Sequence, residues 1–152
     1  MIMCITPNPD IERTWIMDTV HMGDVNHVHQ VTVAPSGKGV NVARAVHTLE
    51  GESFCAGFLG GLTGRYLESL ILDLGIPAKW TWIKGETRTA ITIIEISNPD
   101  RDATLISEAG PRVTTEDWER LQTDVSSIQA DVACICGRLP GNSSVNPFIR
   151  II

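Results

Sequence analysis

The sequence lacks any apolar run near the ~20 residues that a membrane-spanning helix needs. Its start, Met1-Ile2-Met3-Cys4-Ile5-Thr6-Pro7, has neither a basic leader nor a signal-like apolar segment. These absences predict a cytoplasmic chain with no membrane partner. A basic excess is missing too: 18 acidic against 12 basic residues leave a net charge of −6. No overall field draws phosphate polymers, so nucleic acid is not expected as a partner. A small anion stays open, because a pocket needs only a few placed cations. The four cysteines, Cys4, Cys55, Cys134 and Cys136, form no CxxC pair and no zinc spacing; lying in apolar runs, they predict reduced, structural thiols. His21, His27, His29 and His47 form no HExxH or other tight ligand set, so no metal site is expected. There is no internal repeat and no low-complexity tract.

What is present suits one soluble globular domain. The chain has 152 residues, 43% hydrophobic and 20% charged, enough to bury a core. Ile2 to Thr6 is a β-prone run halted by Pro7 and Pro9, which predicts an opening strand and a loop carrying Asn8, Asp10 and Glu12. From Arg13 to Pro35, Thr14-Trp15-Ile16 and Val28 to Val33 flank a Gly23-Asp24 turn, which predicts a small exposed sheet. Helical spacing runs from Val40 to Leu49 and again from Thr63 to Leu74, where Gly75 is a stop signal. Ser53 to Leu59, Lys79 to Lys84, Thr89 to Ile96, Ala103 to Ile106 and Asp131 to Cys136 read as strands. Thr115, Trp118, Leu121 and Val125 mark a further helix, with Thr115 as its expected cap. Strands alternating with helices of this length predict an α/β fold with a largely parallel, doubly wound sheet. The final stretch, Asn142 to Ile152, closes on the apolar Phe148-Ile149-Arg150-Ile151-Ile152 and predicts an interrupted element.

Ser36-Gly37-Lys38-Gly39-Val40-Asn41 opens a helix with glycines that let backbone N–H groups approach an anion or polyol, while Lys38 supplies charge. It is not a P-loop, because Gly39 stands where a magnesium-binding Ser or Thr would be. The same residues also read as a plain glycine turn with a solvated lysine. Gly57-Phe58-Leu59-Gly60-Gly61-Leu62-Thr63-Gly64 also joins a strand to a helix, without the GxGxxG order; close packing explains its glycines as well as a ligand does. Arg88 and Arg138 lie just outside strands, where an open α/β sheet places ligands, and a guanidinium grips phosphate bidentately. A solvated surface arginine is the competing reading for each.

Taken in order, these segments resemble the PfkB (ribokinase-like) carbohydrate kinases, in their 1-phosphofructokinase and tagatose-6-phosphate kinase branch. Thr6-Pro7-Asn8-Pro9-Asp10-Ile11-Glu12 is similar to the branch's T-x-N-P-x-x-D, and Pro35 to Arg44 to its G-G-K-G-x-N-x-[AS]-R. Gly57 to Gly64 is similar to G-F-x-G-x-x-x-G, Thr87-Arg88-Thr89 to T-R-[TN], Glu108 to Pro111 to E-x-G-P, and Gly137 to Pro140 to G-S-L-P. The resemblance implies a partial ribokinase-like sheet with a small β-sheet lid, whose strands lie within 12–35 and 79–106. It further implies that Glu12, Gly37, Lys38 and Asn41 line a sugar, that Arg88 binds the sugar's existing phosphate, and that Arg138 sits at a substrate-contacting position. A homodimer through the lid is part of the same implication.

Three positions depart from the pattern: Glu12 stands for Asp, Ser36 for the first glycine, and Arg138 for Ser. The extra methylene of Glu12 shifts its hydroxyl contacts by about 1.5 Å unless the backbone retreats. The family's G-A-G-D segment, with its catalytic Asp and the nearby site for ATP and Mg, has no counterpart among these residues. The expectation is therefore the amino-terminal part of a sugar-phosphate kinase, at 1–152, lacking the ATP-binding half and inactive by itself. The acceptor is expected to be fructose 1-phosphate, fructose 6-phosphate or tagatose 6-phosphate. A non-catalytic module that binds sugar phosphate or dimerises is the alternative. A kinase for an unphosphorylated sugar or nucleoside is a further one, against which Thr87-Arg88 and the Thr-Pro-Asn-Pro opening argue.

Overall fold

Residues 2–6 and 53–59 are apolar at successive rather than alternate positions, and strands of that kind need cover on both faces. The computed structural model describes residues 1–98, 100 and 102–141. In chain order these form β1 (Ile2–Thr6), β2 (Asp10–Met17), β3 (Gln30–Ser36), α1 (Lys38–Thr48), β4 (Ser53–Leu59), α2 (Gly61–Asp73), β5 (Ala78–Trp82), β6 (Arg88–Glu95), β7 (Thr104–Ser107), α3 (Thr115–Ser126) and β8 (Val132–Ile135). The ending expected at 142–152 lies outside the described residues.

The first sheet has the order β5-β4-β1-β8, and every pairing in it is parallel. One face packs Cys4, Cys55 and Leu59 against Val40 and Ala43 of α1 and Leu67 and Ile71 of α2. The other packs Met3, Ile5, Ala56 and Phe58 against Trp118, Leu121 and Val125 of α3. Phe58 and Trp118 meet edge to face, with centroids 4.8 Å apart, a geometry that adds about 0.5–1.5 kcal/mol to area burial. Helices on both faces of a parallel sheet make the α/β architecture doubly wound. Chain order places β4 on one side of β1, through α1, and β8 on the other, through α3. The sheet's order therefore reverses at β1, and its carboxyl end at Thr6 is where such sheets hold ligands. Burial pushes the thiols of Cys4 and Cys55 up to about 12, so both stay protonated and behave as small apolar groups.

The second sheet has the order β3-β2-β6-β7. Here β2 and β6 run parallel, while β3 and β7 pair antiparallel on the two outer sides. Of the stretch 79–106, β6 and β7 belong to this sheet and β5 to the first. Strand β2 starts at Asp10, directly after Pro9, and so takes in residues that the two prolines suggest are loop. Strand β3 starts at Gln30, later than Val28, and runs through Pro35 to Ser36. Pro35 is tolerated because β3 is an edge strand. In α3 the cap is Thr114 rather than Thr115: its Oγ1 accepts from the Asp117 N–H at 3.2 Å, and Asp117 Oδ2 accepts from the Thr114 N–H at 2.9 Å. Reciprocal capping needs an acceptor three residues on; Asp117 stands there for Thr114, while Trp118 stands there for Thr115.

Candidate functional site

The period of a strand puts Asp10 and Glu12 on one face of β2. Register does the rest. Asp10 lies opposite Arg88 and Glu12 opposite Ala90 on β6, with Thr92 next along the same face. On the other side, Asp10 lies opposite Ser36 on β3. On β7, Ser107 and Leu105 face Ala90 and Thr92. Joined by Gly37, Lys38 and Asn41 from the start of α1 and by Ala103, these residues line a cleft of about 260 Å³.

Glu12 is clamped across three strands. The Ser36 hydroxyl donates to its Oε2 at 3.0 Å, and the Thr92 hydroxyl donates to its Oε1 at 2.8 Å. Two apparently separate departures in the sequence, Glu12 and Ser36, are thus one feature, a longer carboxylate with a hydroxyl that holds it. A carboxylate accepts about four hydrogen bonds, so Glu12 retains acceptor capacity toward the cleft.

Arg88 forms the other fixed point. Its side chain is only 14% exposed and its Nη2 donates to Asp10 Oδ2, while Nε donates to the Asn8 carbonyl at 3.2 Å and Nη1 to Ser107 Oγ. Burial pushes the Asp10 carboxyl above the usual carboxylate range, against the pull of Arg88. Asn41 is exposed, and its Oδ1 accepts from Arg44 at 3.5 Å.

The three helix starts differ. Helix α3 is capped by its own box, as above. In α2, the backbone N–H groups of Leu62 and Thr63 donate to the Glu86 carboxylate at 3.3 and 3.0 Å, and the N–H of Gly60 donates to Thr87 Oγ1 at 3.0 Å. The N-cap of helix α1 is Gly37, which has no side chain to cap with, and the helix has no acidic residue in its first turn. Among the described residues no side chain accepts from the N–H groups of Lys38, Gly39 or Val40. Gly37 has φ 115°, and a Cβ there would lie 2.7 Å from Thr6 Cγ2 and 3.0 Å from Pro9 Cα. Only glycine lets the turn sit this close to the end of β1.

Of the six residues selected from the sequence, Glu12, Gly37, Lys38, Asn41 and Arg88 come together in this cleft. Arg138 is exposed and does not line it. Its neighbour Gly137 reaches the same helix start, since a Cβ on Gly137 would lie 3.5 Å from Lys38 Cβ. Asp10, Thr92 and Ser107 line the cleft without having been selected. Asp10 carried a signal, its two-residue offset from Glu12; Thr92 and Ser107 carried none, because only register brings them here. Among the described residues no group of three His, Cys, Asp or Glu side chains could hold a metal ion.

The sequence profile of the pfkB family carbohydrate kinases matches residues 9–148. The chain belongs to this family. It is 30% identical over 154 residues to a tagatose-6-phosphate kinase of Staphylococcus epidermidis, covering 100% of this chain and 48% of that protein. It is also 32% identical over 149 residues to a 1-phosphofructokinase of Escherichia coli, covering 97% and 47%. The fold matches that of phosphofructokinase-2 from Escherichia coli in complex with fructose-6-phosphate, with a TM-score of 0.89 at 22% identity, over 99% of this chain and 49% of that one. The chain spans about half the length of the curated relatives it matches. Its architecture is the corresponding part of the ribokinase-like α/β fold.

Proposed function

We propose that the cleft is the sugar-phosphate site of an ATP-dependent kinase that phosphorylates a hydroxyl of fructose 1-phosphate, fructose 6-phosphate or tagatose 6-phosphate. The observation that carries this reading is the convergence of Glu12, Lys38, Asn41 and Arg88 on one cleft, beside a helix start whose N–H groups no side chain among the described residues takes. In this reading Glu12 accepts from sugar hydroxyls while Ser36 and Thr92 hold it still. Gly37 lets the sugar approach the backbone of α1, and Asn41 offers an amide to a hydroxyl. Lys38 and Arg88 supply positive charge for the phosphate the sugar already carries, and Arg138 is assigned a substrate contact only by its place in the family's pattern.

ATP and Mg would supply the transferred phosphoryl group and offset its charge. These groups are assigned, in this reading, to residues outside the cleft. The 152 residues by themselves are proposed to bind and orient the sugar phosphate without transferring a phosphoryl group. Calorimetric titration with the three sugar phosphates, paired with an ATP-dependent phosphorylation assay, tests both halves of the statement. Binding without turnover is expected; turnover would place catalytic groups within these residues, and absence of binding to all three would remove the reading.

An unphosphorylated sugar is the second reading, favoured by one observation: Arg88 is already paired with Asp10. A homodimer would use the second sheet, whose face away from Glu12 exposes Val31 and Ile106; sedimentation at several concentrations tests it.

A further inference from the structure

We propose that Asp10 is a specificity residue of this cleft: its carboxylate holds the guanidinium of Arg88, and a ligand phosphate must compete with it for that charge. The inference rests on reading the cleft as a sugar-phosphate site. Both residues line the cleft, and Asp10 is only 4% exposed. Three of the five N–H donors of Arg88 are engaged, Nε with the Asn8 carbonyl, Nη1 with Ser107 Oγ and Nη2 with Asp10 Oδ2. Of these three acceptors only Asp10 resembles a phosphate, being an anion with paired oxygens that match the guanidinium edge.

The charges around the pair sharpen the point. Asp10 has Glu12 two residues along its own face, Ser36 opposite on β3 and Arg88 opposite on β6. Lys38 also lines the cleft. Two carboxylates therefore balance two cations, and an incoming phosphate meets a neutralised arginine and a second acid. A neutral polyol meets no such opposition, because the donors and acceptors lining the cleft serve its hydroxyls as they stand. Asp10 is thus the residue that sets how readily the cleft admits a phosphate alongside the sugar hydroxyls. Asn8 and Ser107 still hold Arg88 when Asp10 is neutral, so removing the charge leaves the guanidinium unneutralised without releasing the side chain.

The experiment titrates the 152-residue chain and its Asp10→Asn and Asp10→Ser variants with fructose 6-phosphate, inorganic phosphate and fructose at constant ionic strength. Like charges brought together oppose binding strongly, so D10N is expected to bind fructose 6-phosphate and inorganic phosphate about tenfold tighter than the parent, with fructose unchanged to about twofold. If the parent binds fructose 6-phosphate and neither variant binds it more tightly, Asp10 serves only to position Arg88; the proposal falls and the sugar-phosphate reading stands. If no protein binds any of the three ligands, both fall. Should the variants not fold, the parent alone decides by NMR. The Asp10 carboxyl carbon is expected to shift on saturation with fructose 6-phosphate in a way that fructose does not reproduce, and the absence of that shift overturns the proposal.

Discussion

Helices α1 and α2 both follow glycine-rich turns, leave the carboxyl ends of strands, and pack on the same face of the first sheet. Their first turns are nonetheless chemically opposite. The first turn of α2 is closed from within: Leu62 and Thr63 donate to Glu86, and Gly61, at φ 64°, leaves room for that carboxylate where a Cβ would collide with it. The N–H of Thr63 holds the Glu86 carboxyl below the usual carboxylate range. Among the described residues the first turn of α1 has no such acceptor, and it begins instead with Lys38, a cation at the end of a helix that favours anions. A glycine-rich strand-to-helix turn is therefore not a site by itself. What marks a site is a first turn whose donors the protein leaves unspent.

The largest expected effect breaks the floor of the open end. Arg88→Ala leaves Asp10 buried without its partner, and removing one member of a buried pair costs about 3–5 kcal/mol; urea unfolding measures it. Sugar-phosphate affinity should fall as well, by about 1.5–3 kcal/mol for loss of a charged hydrogen bond. A fully stable R88A would mean that the pair does not carry the weight its burial implies.

Next come the two glycines, which sharpen the contrast directly. Gly37→Ala forces a positive φ on a side chain that also meets Thr6 and Pro9, so a loss of about 1–3 kcal/mol is expected together with loss of sugar-phosphate binding. Gly61→Ala should also lower the melting temperature, by expelling Glu86 from the α2 start, yet leave ligand affinity within error. Equal loss of binding in both variants would erase the distinction between an open and a closed turn.

Lys38→Met should weaken sugar-phosphate binding in a salt-dependent titration. It should also leave the fold unchanged or stabilise it by about 0.3–1 kcal/mol, because it removes a cation from a helix N-terminus. The smallest effect belongs to Glu86→Gln. The folded carboxyl lies below its ordinary 4.5, so its contribution to stability is present above that value and is lost as pH falls through the folded pKa. Thermal unfolding between about pH 3 and 6, across a carboxylate's titration range, should show a shallower acid limb in E86Q than in the parent. An unaltered limb would mean that Glu86 is a bystander.

Much of the frame was legible along the chain. Ser53–Leu59 could be read to the residue because its apolar run is bounded by Gly51-Glu52 and Gly60-Gly61, and the helices because their apolar positions recur with a helical period. The small sheet was less legible: Pro7 and Pro9 argue for loop around Asp10 and Glu12, whereas the partner strands β3 and β6 extend β2 back to Asp10. Helix starts at 38 and 61 came earlier than the apolar pattern implies, since glycines carry no periodic signal. The cap at Thr114 was legible in principle, through its spacing to Asp117.

By itself the sequence determined the alternation of strands and helices, the two-sided burial of the first sheet, and five of the residues that meet in the cleft, because periodicity and motif order are properties of a chain. Tertiary structure alone decided how those residues are occupied. That Ser36 and Thr92 clamp Glu12, that Asp10 holds Arg88, and that Glu86 closes α2 while α1 stays open all depend on the register of strands up to 80 residues apart in the chain. Hydrogen bonds and charge pairs act over a few ångströms of space, and no local pattern in a sequence records which distant side chain will come within that reach.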